Sequence, residues 1–119
     1  MRRDEKVLVV EENPVVTHAI EAAGELPYVC ERVSDGWEAI ERLENGQYAA
    51  IVIDTDLPRH SGFGVLTYLR EEVGAELANV IVVTSSDRDE LRRKLSEDKL
   101  TITNRADAPL ELSRMMRPE

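Results

Sequence analysis

Ala49-Ala50-Ile51-Val52-Ile53-Asp54-Thr55-Asp56-Leu57-Pro58 decides the fold. Five apolar residues, Ala49 to Ile53, run unbroken into a carboxylate. A run this rich in Ile and Val predicts a strand buried on both faces, as in a parallel sheet covered by helices. Asp54 then falls at the carboxyl end of the strand, the edge where open α/β sheets bind ligands. Pro58 has no amide hydrogen for a ladder, so the strand ends before it. Taken alone, Asp54 is equally compatible with the start of a turn. The other strands decide between the two.

The same pattern recurs along the chain. Lys6-Val7-Leu8-Val9-Val10 is apolar after its first residue and ends in Glu11-Glu12. Asn13-Pro14 then offers a helix start, with Asn13 as N-cap and Pro14 at the first helical position. Val15, Val16, Ala19, Ile20, Ala23 and Leu26 form one stripe of that helix. Tyr28 to Val33 alternates and predicts a strand near a sheet edge. Ser34-Asp35-Gly36 reads as a turn and cap. A helix carrying Trp37, Ile40 and Leu43 follows, with Trp37 half-buried, and Asn45-Gly46 stops it. After Pro58 to Gly62, Phe63, Val65, Leu66, Leu69 and Val73 mark another helix. Ala78 to Val83 is a third buried strand, ending in the hydroxyls of Thr84, Ser85 and Ser86. Asp87 caps a polar helix with only Leu91 and Leu95 on its apolar stripe. Leu100 to Asn104 is a weak last strand, and Pro109 opens a final helix with Leu110, Leu112 and Met115. Strand and helix alternate five times over short connections. That predicts a five-stranded parallel sheet, doubly wound as (βα)5, in a single domain over residues 1–119.

Composition narrows the function. The chain has 119 residues, 42% hydrophobic and 4% aromatic, so its core must be aliphatic. A net charge of −9 argues against non-specific binding to nucleic acid or to an anionic membrane surface. The apolar runs are too short to span a bilayer, and charged residues crowd Arg2 to Lys6 where a secretory signal would need an apolar stretch. A cytoplasmic protein is expected. Cys30 is the single cysteine and has no partner for an internal disulfide. It is expected to be a small packing residue. His18 and His60 are expected on the surface.

In a parallel sheet the carboxyl ends of the strands share one edge, so Glu11, Glu12, Asp54 and Thr84 are expected to converge there. Like-charged carboxylates at about 5 Å repel by about 3 kcal/mol per pair at an effective dielectric near 20. A compensating cation is therefore expected, and an oxygen-rich acidic cluster suits Mg2+.

These residues resemble a family. Val9-Val10-Glu11-Glu12-Asn13-Pro14, Ile53-Asp54-Thr55-Asp56-Leu57-Pro58 with Gly62 following, and Val82-Val83-Thr84-Ser85 look like the receiver domain of bacterial two-component response regulators. The 30-residue interval from Asp54 to Thr84 agrees with it. The resemblance implies a flavodoxin-like fold and a signalling domain rather than an enzyme. It also implies that Asp54 accepts a phosphoryl group from a histidine kinase or histidine phosphotransfer protein. Mg2+ would be held by Glu11, Glu12, Asp54 and the backbone carbonyl of Asp56, and Thr84 would be the switch hydroxyl. The partner on the output side would be an output domain or another protein.

The sequence departs from that pattern in two places. Glu12 stands where the family has Asp, which lengthens a metal ligand by a methylene. Thr103-Asn104-Arg105-Ala106 stands where the family has a lysine followed by proline. Either Asn104 or Arg105 takes the lysine's place, and a guanidinium is not equivalent to an ammonium. These departures leave open a second reading, a pseudo-receiver that serves as a phosphorylation-independent interaction module. A third, a phosphatase using Asp54 and Asp56, lacks the cap domain and the later acidic cluster that such enzymes carry.

Overall fold

The computed structural model describes residues 6–22, 29–57, 62–69, 71, 79–84, 89, 93 and 100–116. Five strands form one parallel sheet: β1 (Lys6–Val10), β2 (Val29–Val33), β3 (Ala50–Asp54), β4 (Val80–Val83) and β5 (Thr101–Thr103). Their order is β2-β1-β3-β4-β5. The chain winds outward from β1 to β2, then crosses back to β3. The reversal puts a crevice between β1 and β3 at the carboxyl edge. β2 is an edge strand, as its alternating sequence predicts.

The strands read as apolar runs because both faces of the sheet are covered. Side chains alternate between the faces. Leu8, Val10, Ile51, Ile53, Val80 and Val82 point to one side, with Ala39 of α2 (Gly36–Asn45) and Val65 and Leu66 of α3 (Gly62–Tyr68). Val7, Val9, Ala50, Val52, Ile81 and Val83 point to the other, with Val16 and Ile20 of α1 (Val15–Ala22) and Ala108 and Leu112 of α4 (Ala108–Met115). All five residues of β3 are buried, which explains why that segment dominates the sequence pattern. The polar helix expected after Asp87 and the loop Pro58 to Ser61 lie outside the described residues, apart from Asp89 and Arg93.

The helix ends differ in detail from their sequence signals. Asp35 caps α2 as expected, its Oδ1 accepting the Glu38 amide at 2.9 Å. Glu38 reaches back and accepts from the Ser34 amide at 3.0 Å, a reciprocal cap. Gly46 follows α2 in extended backbone, φ −153° and ψ 172°, so no left-handed residue is needed. Asn45 instead donates its side-chain amide to the Glu41 carbonyl at 2.8 Å. Three apolar side chains lie further out than their spacing suggests: Trp37 is 57% exposed, Val15 53% and Leu110 54%. Each sits in the first turn of its helix.

Leu112 is fully buried beneath α4, whereas Leu110 faces out. Leu112→Ala should cost about 3 kcal/mol in urea unfolding, and Leu110→Ala less than about 0.5 kcal/mol. Cys30 is free and half-buried; burial, followed by the nearby Glu21 carboxylate, pushes its thiol up to about 11. It therefore stays protonated at pH 8, and iodoacetamide should modify it more than about tenfold more slowly than an unfolded-chain thiol.

Candidate functional site: an acidic crevice closed by arginine

The register of the sheet builds the site. Val10 pairs with Ile53 across β1 and β3, and Asp54 pairs with Val83 across β3 and β4. One residue beyond these pairs lie Glu11, Thr55 and Thr84. The ladder continues through them: the Glu11 amide donates to the Val33 carbonyl at 3.0 Å, Thr55 to Val83 at 3.0 Å, and Thr84 to Thr103 at 2.9 Å. Glu11, Asp54 and Thr84 are all buried. Strand pairing thus brings Glu11, Asp54 and Thr84 to the same edge of the sheet.

Glu11 and Asp54 are neutralised in different ways. Glu11 turns to α1. Its Oε1 accepts the Val16 amide at 2.9 Å and its Oε2 accepts the Thr17 amide at 2.8 Å. The Thr17 hydroxyl donates to the same Oε2 at 2.6 Å. A carboxylate at a helix N-terminus satisfies otherwise orphaned amides and meets the positive end of the helix dipole. Glu11 is therefore the side chain that caps α1, the part the sequence suggests for Asn13. The extra methylene of glutamate lets it reach past Asn13 and Pro14 to the helix.

Asp54 turns to the loop after β5. Its Oδ1 accepts the Asp56 amide at 2.9 Å. Its Oδ2 accepts from Arg105 twice, from Nε at 3.2 Å and from Nη2 at 2.9 Å. The same Nη2 lies 3.5 Å from Asp56 Oδ2. Of the two candidates for the lysine's place, Arg105 is the one that reaches Asp54. Asn104 is committed to its own turn: its Oδ1 accepts the Asp107 amide at 2.8 Å, and its Nδ2 donates to the Asp107 side chain at 3.2 Å. Asn104 thereby shapes the first turn of α4 and fixes where Arg105 departs from the chain.

Glu12 is exposed on the loop between β1 and α1. That loop is tied from outside by Arg32, at the end of β2, whose Nη1 donates to the carbonyls of Glu11 at 3.1 Å and Glu12 at 3.2 Å. Arg32 carries no recognisable motif in the sequence; its place two residues before the Ser34-Asp35-Gly36 turn is the only signal. Among the described residues no three His, Cys, Asp or Glu side chains are grouped closely enough to hold a metal ion. The expected cluster of Glu11, Glu12 and Asp54 is not gathered in this structure, since Glu11 is drawn to α1 and Asp54 to Arg105. The donors that remain for a cation, Asp54, Glu12 and the carbonyl of Asp56, are all oxygens and fit Mg2+ in kind.

Comparison with known proteins identifies the family. Residues 7–101 match the model of the response regulator receiver domain. The chain belongs to that family, whose members are signalling domains of two-component systems. It is 35% identical over 68 residues to the transcriptional regulatory protein TcrA of Mycobacterium tuberculosis, covering 56% of this chain and 27% of that protein. The chain thus matches about a quarter of that relative's length. Among solved structures, the chemotaxis protein CheY4 of Vibrio cholerae superposes with a TM-score of 0.75 at 21% identity, over 94% of this chain and 98% of that one. The response regulator TrrA of Thermotoga maritima, in complex with Mg2+ and BeF, superposes with a TM-score of 0.71 at 21% identity, over 95% and 100%. These structural likenesses establish the flavodoxin-like receiver fold. No described helix is long and apolar enough to cross a membrane.

Glu11→Gln keeps the size of the side chain but loses one acceptor oxygen, setting an amide group against a helix donor. It should destabilise the protein by about 2 kcal/mol in urea unfolding, and Thr17→Ala by less, because the two backbone amides keep their acceptor.

Proposed function

We propose that the chain is a working receiver in which Asp54 accepts a phosphoryl group from a histidine kinase or histidine phosphotransfer protein, with Mg2+, and that the resulting acyl phosphate switches a partner protein or output domain. The observation that carries this reading is the state of Asp54. It is a buried carboxylate at the carboxyl end of β3, aimed by the Asp56 amide and met by a guanidinium. An anion so placed is preoriented, and a cation stands where negative charge would be added.

In the transfer, an Asp54 oxygen attacks phosphorus of a phosphoimidazole. The P–O bond forms, the P–N bond breaks, and the imidazole leaves with a proton taken up from water. Asp54, Glu12 and the carbonyl of Asp56 would hold Mg2+; when bound, it neutralises charge on the phosphoryl group and orients it for in-line attack. Glu11 acts in this reading by holding the loop that carries Glu12, through its cap on α1. Thr84, buried one residue past the partner of Asp54, would offer its hydroxyl to a phosphoryl oxygen. That contact exists only in the phosphorylated state, so it biases the β4 end toward a second arrangement. The Mg2+ and BeF bound to TrrA are what this reading expects here of Mg2+ and a phosphoryl group.

The test is intact mass spectrometry after incubation with acetyl phosphate. The wild type should gain one phosphoryl group with Mg2+ and none with excess chelator, and Asp54→Asn should gain none. A folded wild type that stays unmodified would refute the proposal and return the chain to the interaction-module reading. Thr84→Ala should still be phosphorylated but should lose the phosphorylation-dependent shifts of the amides around β4 in NMR spectra.

A further inference from the structure

The two edges of the sheet are not alike. β5 closes it with three residues, Thr101–Thr103, and β2 with five, Val29–Val33. Among the described strands β2 pairs with β1 alone. A strand edge with free backbone groups is a template for pairing with another strand. The Val33 carbonyl accepts the Glu11 amide. Val29, Glu31 and Val33 therefore turn their backbone groups to β1, and Cys30 and Arg32 turn theirs outward.

Glu31 breaks the pattern of its own face. It stands in register with fully buried Leu8 and shares the α2 side of the sheet with buried Val33. An apolar residue would suit that place. Instead a carboxylate gathers three partners from separate parts of the chain. The Tyr48 hydroxyl donates to Oε1 at 3.1 Å, Arg42 Nη1 of α2 lies 3.5 Å from Oε1, and Lys6 Nζ of β1 lies 3.9 Å from Oε2. The cluster keeps contact with water: the side chains of Lys6, Arg42 and Glu31 are 52%, 46% and 22% exposed. Ion pairs this exposed contribute little to stability, so the stability of the monomer does not account for an acid at this position.

We propose that the Glu31 cluster guards the open edge of β2 against a second copy of the chain, and so keeps two sheets from joining edge to edge. The inference concerns the edge of the sheet and stands apart from the reading of Asp54. A two-fold pair of β2 strands runs antiparallel, with Cys30 and Arg32 making its hydrogen bonds. With most of the strand overlapped, the axis passes through Cys30, Glu31 or Arg32. On Glu31 it sets carboxylate against carboxylate, and on Arg32 guanidinium against guanidinium; like charges directly opposite are destabilising. On Cys30 it sets Glu31 against Val29, an acid on an apolar neighbour. In each register the incoming strand covers the water side of Glu31, and a charge withdrawn from water is costly. Glu31 thus opposes every register, whereas Val29 and Val33 are suited to pairing.

The experiment is sedimentation velocity of the full chain over a concentration series. Reducing conditions keep Cys30 out of intermolecular disulfides, and added salt screens the net charge of −9. The wild type should sediment as a monomer throughout. Glu31→Val leaves an apolar row on the α2 side of β2 and should self-associate at least about tenfold more tightly than the wild type. Glu44→Val makes the same change at an exposed position of α2 and should stay as monomeric as the wild type. In associated Glu31→Val, hydrogen exchange should slow at the amides of Cys30 and Arg32. Should Glu31→Val lose its fold by circular dichroism, Glu31→Thr, neutral and suited to a strand, takes its place with the same expectation. A folded Glu31 variant that stays monomeric overturns the proposal, as does equally strong association of Glu44→Val. So does association that leaves the Cys30 and Arg32 amides unprotected, or a wild type that dimerises with those two amides protected.

Discussion

Two buried carboxylates at the ends of neighbouring strands set the terms for everything around them. A parallel sheet aligns the strand ends, and β1 and β3 both run from apolar residues into acid. Glu11 and Asp54 are buried there within one layer of the same sheet. An ionised carboxylate removed from water is costly unless it is hydrogen-bonded or paired. The chain meets that requirement by two means. Glu11 is met by helix amides and a hydroxyl, Asp54 by an amide and a guanidinium. Alternation along the strands explains the division. Glu11 and Asp54 share the parity of Val9 and Val52, whose side chains face α1 and α4, so their natural partners come from the start of α1 and from the loop entering α4. No buried side-chain polar atom among the described residues is left without a partner.

The strands were legible because burial on both faces leaves no room for polar residues. β1, β3 and β4 each show an unbroken apolar run, and their boundaries match the sequence pattern to within about two residues. The receiver motifs at Asp54 and Thr84 were legible for the same reason: a polar residue that closes an apolar strand stands out. Helix ends were harder to read. Asn13 and Gly46 carry the right residue types for capping, yet α1 is capped by Glu11 from outside the helix, and Asn45 secures the last turn of α2 before Gly46 is reached. Local sequence signals assume local partners, and a cap drawn from the end of the preceding strand defeats them. Val15 and Trp37 fit apolar stripes by spacing, yet more than half of each is exposed. Spacing gives direction around a helix axis but not what covers a residue in the first turn.

Of the acids that the sequence singles out, Glu11 and Asp54 are buried at the strand ends and Glu12 is exposed, and the sequence leaves the neighbouring cation open between two residues. Asn104 and Arg105 are adjacent, and either can stand where a lysine is expected. Their separate roles follow from side-chain reach. Asn104 is short, and its amide closes an i to i+3 loop onto Asp107, a job for which Asn and Asp are suited. Arg105 is long enough to cross to Asp54 from the far strand. Arg32 was not legible at all, because its contacts are to backbone carbonyls of Glu11 and Glu12, and carbonyls have no sequence signature.

Arg32 and Arg105 together explain how a chain with a net charge of −9 keeps an acidic crevice in order. Arg105 neutralises the carboxylate at its floor. Arg32 does not pair with a carboxylate there; it holds the carbonyls on the β1–α1 loop and so sets the position from which exposed Glu12 projects. The two arginines therefore do different work: Arg32 holds backbone on the β1–α1 loop, Arg105 holds a carboxylate, and only Arg105 lies in the turn that leads into α4.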